Sequence, residues 1–211
     1  MHLKRNKSSK TWPIPRKGTK YLAVPSHNLK NSLPLIILLR EVLDLVKTRK
    51  ETKNLINQKK IKVNRENVRD EKHAISLFDV ISLEDKNLKL ILKNKKFDVV
   101  EVKGKEAEEK IVKIIGKKVL KGGKIQVNLR DGRNFLSKEK MKIGDSVVVD
   151  LKNNKIAEIL PFKIGSEVML LTGKHIGGTG LVEDIGKKGL IRVKIHNEKI
   201  NSRLENLMVV N

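Results

Sequence analysis

Thr48-Arg49-Lys50-Glu51-Thr52-Lys53-Asn54-Leu55-Ile56, running on to Ile61-Lys62-Val63-Asn64, sets the character of the chain. Thr48 with Glu51 three residues on is a capping box, in which a hydroxyl and a carboxylate satisfy free N–H groups of a first helical turn. Leu55 and Ile56 give that helix its buried side. Ile61 and Val63 then alternate with Lys62 and Asn64, the two-residue period of a strand. Arg65-Glu66-Asn67 reads as a turn. Lys47, Arg49, Lys50, Lys53, Lys59, Lys60, Lys62, Arg65 and Arg69 crowd this stretch with little acid to neutralise them. A helix start is also an anion site through its N–H groups and dipole. The stretch reads as a small α/β unit with a basic face turned to an anion, the alternative being a lysine-rich face that meets only water.

Upstream, Ser32 can cap an earlier helix, and Pro34 sits in a first turn that tolerates it. Leu35, Leu38, Leu39, Val42, Leu45 and Val46 recur at helical spacing. Residues 1–31 read as an extended basic arm, because Pro13, Pro15 and Pro25 interrupt any helix, the alternative being a disordered tail that orders only on binding. Trp12 and Tyr21 stand out in it as two of only six aromatics, placed to stack on RNA or to anchor the arm.

Downstream, Val80, Ile81 and Leu83 form a strand-like run. Residues 84–160 mix β hairpins with one helix, Glu106 to Ile115, where Ile111, Ile114 and Ile115 keep helical spacing. Ile125, Val127 and Leu129 lead into the hairpin signal Asp131-Gly132. Val147 to Leu151, Asn153-Asn154 and Ile156 to Leu160 repeat that pattern. Residues 161–211 read as a small all-β barrel, with strands Val168 to Leu171, Gly180 to Ile185 and Leu190 to Ile195 between Gly-containing turns.

Charge narrows the function. The 47 Lys and Arg against 24 Asp and Glu leave a formal +23, which calls for a dense polyanion such as nucleic acid. Residues 1–70 carry 18 basic and 5 acidic side chains, residues 71–160 carry 21 and 14, and residues 161–211 carry 8 and 5. The first forty residues hold nine basic residues and no acid, so those charges face a partner rather than each other. The longest apolar run, Leu35 to Leu39, is far short of the ~20 residues of a membrane span, and nothing reads as a signal peptide.

Chemistry finds no foothold. The chain has no cysteine, and His2, His27, His73, His175 and His196 lack the spacing of a metal motif. Carboxylates such as Glu106, Glu108 and Glu109 sit among lysines as a solvated face, and no Gly-x-Ser-x-Gly element is present. Gly173-Lys174 is followed by His175, with Val168 five before Gly173, so the phosphate-binding loop of nucleotide enzymes is excluded. The cluster through Gly180 reads as a tight turn, with Lys174 and bare backbone able to approach an RNA phosphate. With 3% aromatics and only ten Arg, the expected mode is recognition of RNA shape through phosphate contacts.

Taken in order, the motifs resemble a known family. His2-Leu3-Lys4-Arg5, Trp12-Pro13-Ile14-Pro15-Arg16-Lys17, Leu33-Pro34-Leu35, Leu39-Arg40-Glu41-Val42-Leu43, Thr48-Arg49-Lys50-Glu51, Val63-Asn64 to Val68-Arg69-Asp70, and Asp79-Val80-Ile81 are similar to the "four-e" family of the archaeal and eukaryotic small ribosomal subunit. Gly122-Gly123-Lys124-Ile125-Gln126, Asp131-Gly132-Arg133-Asn134, Gly144-Asp145 and Gly173-Lys174-His175-Ile176-Gly177 continue the likeness to the far end. Two places depart: Arg65-Glu66-Asn67 where the family has Gly after Asn or Asp, and Pro25-Ser26-His27 where many relatives have Pro-Gly-Pro-His.

The resemblance implies an α+β, mainly β chain: a basic rRNA-binding arm (1–31), an S4-like α/β RNA-binding domain (32–92), a central β-rich domain (93–160) and an SH3-like barrel with a KOW motif (161–211). It implies a non-enzymatic structural role in translation, on cytoplasmic ribosomes, with small-subunit rRNA and neighbouring ribosomal proteins as partners. No membrane, small-molecule substrate, cofactor or metal is expected. The alternatives are a KOW-type transcription-associated factor and an S4-domain RNA-modifying enzyme. The residues expected on RNA are Lys4, Arg5, Lys7, Lys10, Trp12, Arg16, Lys17 and Lys20 in the arm. Arg49, Lys50, Lys53, Lys60, Lys62, Asn64, Arg65 and Arg69 follow in the first domain, with Arg133 and Lys174 beyond it.

Overall fold

A computed structural model describes every residue except 1, 85, 122, 138, 187, 188, 196 and 197, so Gly122 and His196 lie outside the described residues. The chain forms two compact units, Met1–Glu108 and Glu109–Asn211. Strands dominate and helices are few. Among the described residues no helix is long and apolar enough to cross a membrane.

In the first unit the arm folds back on itself. β1 (Leu3–Lys4) pairs antiparallel with β2 (Tyr21–Leu22). Arg5 ties the intervening loop: Nε donates to the Thr19 carbonyl at 2.8 Å, Nη1 to the Pro15 carbonyl at 2.7 Å and Nη2 to Thr19 Oγ1 at 3.0 Å. Trp12 is 2% exposed, and its indole N–H donates to the Ser32 carbonyl at 2.9 Å. The expectation that Trp12 contacts RNA is therefore corrected: a ring with no accessible face anchors the arm and cannot stack on a base.

Ser32 does not cap a helix. It lies in β3 (Ser32–Pro34), which pairs with β6 (Ala74–Ser76), and its hydroxyl donates back to the Asn28 carbonyl at 2.8 Å. The first helix starts only after Pro34, as one α turn, α1 (Leu35–Ile37), running into a π turn over Leu38–Val42. Asp44 then takes a positive φ of 50° and ends it, leaving Leu45, expected on the buried stripe, exposed. The capping box holds. α2 (Arg49–Asn57) begins at Thr48, whose hydroxyl accepts from the Glu51 N–H.

β4 (Ile61–Val63), β5 (Glu66–Asn67), β7 (Val80–Leu83), β8 (Lys86–Lys93) and β9 (Lys96–Glu101) form an antiparallel sheet in the order β5-β4-β7-β8-β9. The boundary expected between 92 and 93 falls inside β8, and the ladder continues through the Asn94-Lys95 turn to Glu101. The turn expected at 65–67 is centred one residue earlier. Asn64 and Arg65 are the two loop residues, with φ of 50° and 68°, and Glu66 already pairs with Val63. This is the two-residue hairpin geometry that favours Asn or Gly because both positions need positive φ.

The second unit holds two five-stranded antiparallel sheets. The first comprises β10 (Glu109–Val119), β11 (Ile125–Leu129), β12 (Asn134–Ser137), β13 (Ser146–Asp150) and β14 (Lys155–Leu160), with β10 central in the order β12-β11-β10-β13-β14. The helix expected over 106–115 is absent: a short 3-10 turn at Gly104–Ala107 precedes the long strand β10. Ile111, Val112, Ile114 and Ile115 are β-branched, and Val112 and Ile114 pack inward with Val127, Leu129, Val147 and Val149. The Asp131-Gly132 loop is longer than the two-residue turn expected there. Leu129 N–H donates to the Arg133 carbonyl at 2.9 Å, and Gly132 alone takes the positive φ.

The second sheet runs β18-β17-β16-β15-β19, from β15 (Glu167–Leu170), β16 (Thr179–Ile185), β17 (Leu190–Ile195), β18 (Glu198–Arg203) and β19 (Leu207–Val209). Its core gathers Val168, Leu170, Val182, Ile191, Val193, Ile195, Leu207 and Val209. Gly180 is required by close approach: a Cβ there would stand 2.2 Å from the Lys194 carbonyl oxygen. Lys113 of β10 is buried, and its Nζ donates to the carbonyls of Leu204 and of Leu207, the latter at 2.7 Å.

Candidate nucleic-acid interface

The basic face is built on α2. Arg49 and Lys53 are four residues apart and so share one side of the helix. The turn at 69–72 stands opposite. Together Arg49, Lys53, Ile56, Asn57, Arg69, Asp70, Glu71 and Lys72 line a cleft of about 470 Å³. Glu71 is buried, and Arg49 Nε donates to its Oε1 at 2.6 Å. Burial pushes the Glu71 carboxyl up, but hydrogen bonds from its own backbone N–H and from the Arg49 guanidinium outweigh that and hold it below the ordinary carboxylate value. Arg49 is thus largely committed to holding the cleft wall. Lys53 and Arg69 are exposed and make no ion pair with a described residue, so they supply the uncompensated charge.

The start of α2 is not the open anion site that its sequence suggests. Glu51 takes it, accepting from the Lys47 N–H at 2.8 Å and the Thr48 hydroxyl at 2.8 Å. The Lys47 N–H, with the Thr48 hydroxyl, holds the Glu51 carboxyl below its usual range. An RNA phosphate would compete with this internal carboxylate.

Around the helix, Lys50 and Lys62 are exposed, while Lys60 pairs with Glu84 at 2.8 Å on the surface. Such an exposed pair is screened by solvent and yields readily to a phosphate. Arg65, at the hairpin tip, pairs with Glu108 and remains exposed. Asn64 is not free for RNA. Its Nδ2 donates to Asp79 Oδ1 at 2.7 Å and its Oδ1 accepts from the Val80 N–H at 3.0 Å, so it holds the turn.

In the arm, Lys4, Lys7, Lys10, Arg16, Lys17 and Lys20 are exposed, whereas Arg5 is spent on its loop and Trp12 on the interior. In the second unit, Arg133 lies 3.6 Å from Asp131, a buried carboxylate that also binds the buried Lys110 at 2.9 Å. Lys174 is exposed in the glycine turn. Lys72 was missed by sequence reasoning, which ended the basic run at Arg69. Its signal was the continuation of that run across Asp70-Glu71. Among the described residues no three His, Cys, Asp or Glu side chains gather as a metal site.

Comparison with known proteins identifies the family. The family described as Ribosomal family S4e matches residues 84–156. Small ribosomal subunit protein eS4 of Methanospirillum hungatei is 37% identical over 98% of this chain and 90% of its own length. The protein of the same name from Nanoarchaeum equitans is 31% identical over 99% of this chain and 94% of its own. The crystal structure of the 30S ribosomal protein S4e from Thermoplasma acidophilum shares the fold with a TM-score of 0.74, at 24% identity, covering 86% of this chain and 95% of that one. An order of motifs that spans the chain, a mainly-β fold and alignment along nearly the full length of relatives more than 30% identical converge: the chain belongs to the ribosomal S4e family.

Proposed function

We propose that the protein is a structural constituent of the small ribosomal subunit, holding rRNA through phosphate and shape contacts in the cytoplasm. Relatives aligned along nearly their whole length carry the small-subunit name, and a ribosomal family is a structural and not a catalytic one. The observation that carries the RNA contact is the cleft where α2 and the 69–72 turn bring Arg49, Lys53, Arg69 and Lys72 together. Lysines there act as point charges on phosphate, and the spacing of the cleft walls reads the path of a backbone rather than base identity. Exposed Lys50, Lys60, Lys62 and Arg65 lie on or next to α2 in the chain, Lys4, Lys7, Lys10, Arg16, Lys17 and Lys20 are exposed in the arm, and the second unit offers the half-buried Arg133 and the exposed Lys174 as contacts of its own.

The finer architecture is part of the same proposal: an S4-like RNA-binding domain after the arm, a central β-rich domain, and a KOW-bearing SH3-like barrel over 161–211. Supporting it are the capped α2 followed in the chain by the β4–β5 hairpin, and the antiparallel pairing of β19 with β15. Neighbouring small-subunit proteins complete the set of partners.

The test is the salt dependence of binding to small-subunit rRNA by the whole chain. Reversing Lys53, Arg69 and Lys72 to Glu should flatten the log–log slope by roughly 0.7–0.9 for each phosphate that is no longer neutralised. An unchanged slope would move the binding face elsewhere.

A further inference from the structure

We propose that the β1–β2 ribbon is a stacking site for one unpaired nucleobase, formed by Tyr21 and His2 and flanked by Lys4 and Lys20; this rests on RNA being the partner. Three observations converge. First, the chain has six aromatics, and Tyr21 alone among them is left exposed, at 50%. Trp12, Phe78 and Phe97 are buried, while Phe135 and Phe162 pack against the cores of the second unit.

Second, the ribbon register builds a platform. Lys4 stands opposite Tyr21, so His2, two residues back, lies diagonally across on the same face. The His2 and Tyr21 rings are 5.4 Å apart between centroids, tilted by 58°. Lys20 Nζ sits over the tyrosine ring, 5.5 Å from its centroid. That is the place a base would take, and the four-carbon stem lets the ammonium move to the adjoining phosphate. No acidic residue occurs in the first forty positions to repel that phosphate.

Third, the platform is held before binding. The Arg5 N–H donates to the Lys20 carbonyl at 3.0 Å, the Arg5 guanidinium ties the loop behind the ribbon, and Trp12 fixes the loop to the interior. A side chain already ordered loses little entropy when it binds, so a single stacked base retains most of its interaction energy.

The experiment titrates the full chain with small-subunit rRNA and with a fully paired RNA duplex. Tyr21→Ala should weaken rRNA binding by roughly 5- to 150-fold, the range that base–aromatic stacking spans, with the salt slope unchanged. Tyr21→Phe should restore it, because the stacking face is kept. Ultraviolet crosslinking with mass spectrometry should find a nucleotide on the peptide that carries Tyr21. Native affinity in Tyr21→Ala would overturn the proposal, as would an equal loss on the duplex, which offers no unpaired base. Trp12 emission, unchanged between the variants, reports that the arm stays docked. Failure of the native chain to bind rRNA at all would instead overturn the proposed function.

Discussion

Replacing Trp12 by alanine separates an anchor from a stacking residue. The ring is 2% exposed and its indole N–H donates to the Ser32 carbonyl at 2.9 Å. Large-to-small replacement of a buried aromatic costs about 3–5 kcal/mol. Leaving the Ser32 carbonyl without its donor adds about 1 kcal/mol. Against a usual stability of about 5–15 kcal/mol, Trp12→Ala removes a large share of what holds the first unit together. Trp12→Phe keeps most of the ring and loses the hydrogen bond, so its loss should be smaller, about 1–2 kcal/mol. Urea unfolding followed by far-ultraviolet circular dichroism measures both, since the chain has one tryptophan and the variants have none. In the native chain, acrylamide quenching of Trp12 emission should be weak and the same with or without rRNA. A Trp12→Ala protein within about 0.5 kcal/mol of native, together with RNA-dependent quenching, would refute the anchor and return Trp12 to the RNA surface.

Other positions test the remaining structure. Burial, chiefly, and the nearby Arg130 charge lower the Lys113 pKa from 10.5 to about 8. Between those values the unfolded chain holds a proton that the folded chain has shed. Stability relative to Lys113→Met should therefore be level below pH 8 and rise from about 8 to 10.5, by on the order of 1 kcal/mol per pH unit. Denaturant melts of both proteins at pH 7, 8, 9 and 10 measure this, and a falling difference would contradict it. Gly180→Ala should destabilise by about 2 kcal/mol or more in thermal melts, since its Cβ meets main chain at 2.2 Å that cannot turn aside. Arg65→Gly should change stability by no more than about 1 kcal/mol, because relief of a φ of 68° offsets loss of the exposed Glu108 pair. It should still weaken the salt dependence of rRNA binding, and an unaltered slope would remove Arg65 from the interface.

Local signals carried well where the structure is local. The Thr48–Glu51 box, the alternation at Ile61–Val63 and at Ile125–Leu129, and the run Leu190–Ile195 are present in the fold as read. The failures share a physical origin in distant partners. β10 read as a helix because Ile111, Ile114 and Ile115 keep helical spacing, and because its two buried lysines disguised the strand alternation. Lys110 is accommodated by Asp131 and Lys113 by the carbonyls of Leu204 and Leu207, none of them nearby in sequence. The burial of Trp12 depends on Ser32, and the occupation of Arg49 depends on Glu71, twenty-two residues away. β18, with Glu198, Lys199, Asn201, Ser202 and Arg203 among its residues, had too little apolar pattern to show itself. Charge identified the kind of partner from composition alone, but only folding separated exposed cations such as Lys53 and Arg69 from Arg5 and Lys110, which hold the protein together.

This chain lives in the small ribosomal subunit. Sucrose-gradient sedimentation of a lysate at moderate salt, probed for the protein, tests it most directly. The chain should travel with the small subunit and be released only as salt rises, in keeping with its +23 charge and phosphate contacts. Recovery solely in the light fractions, with subunits intact, would contradict it.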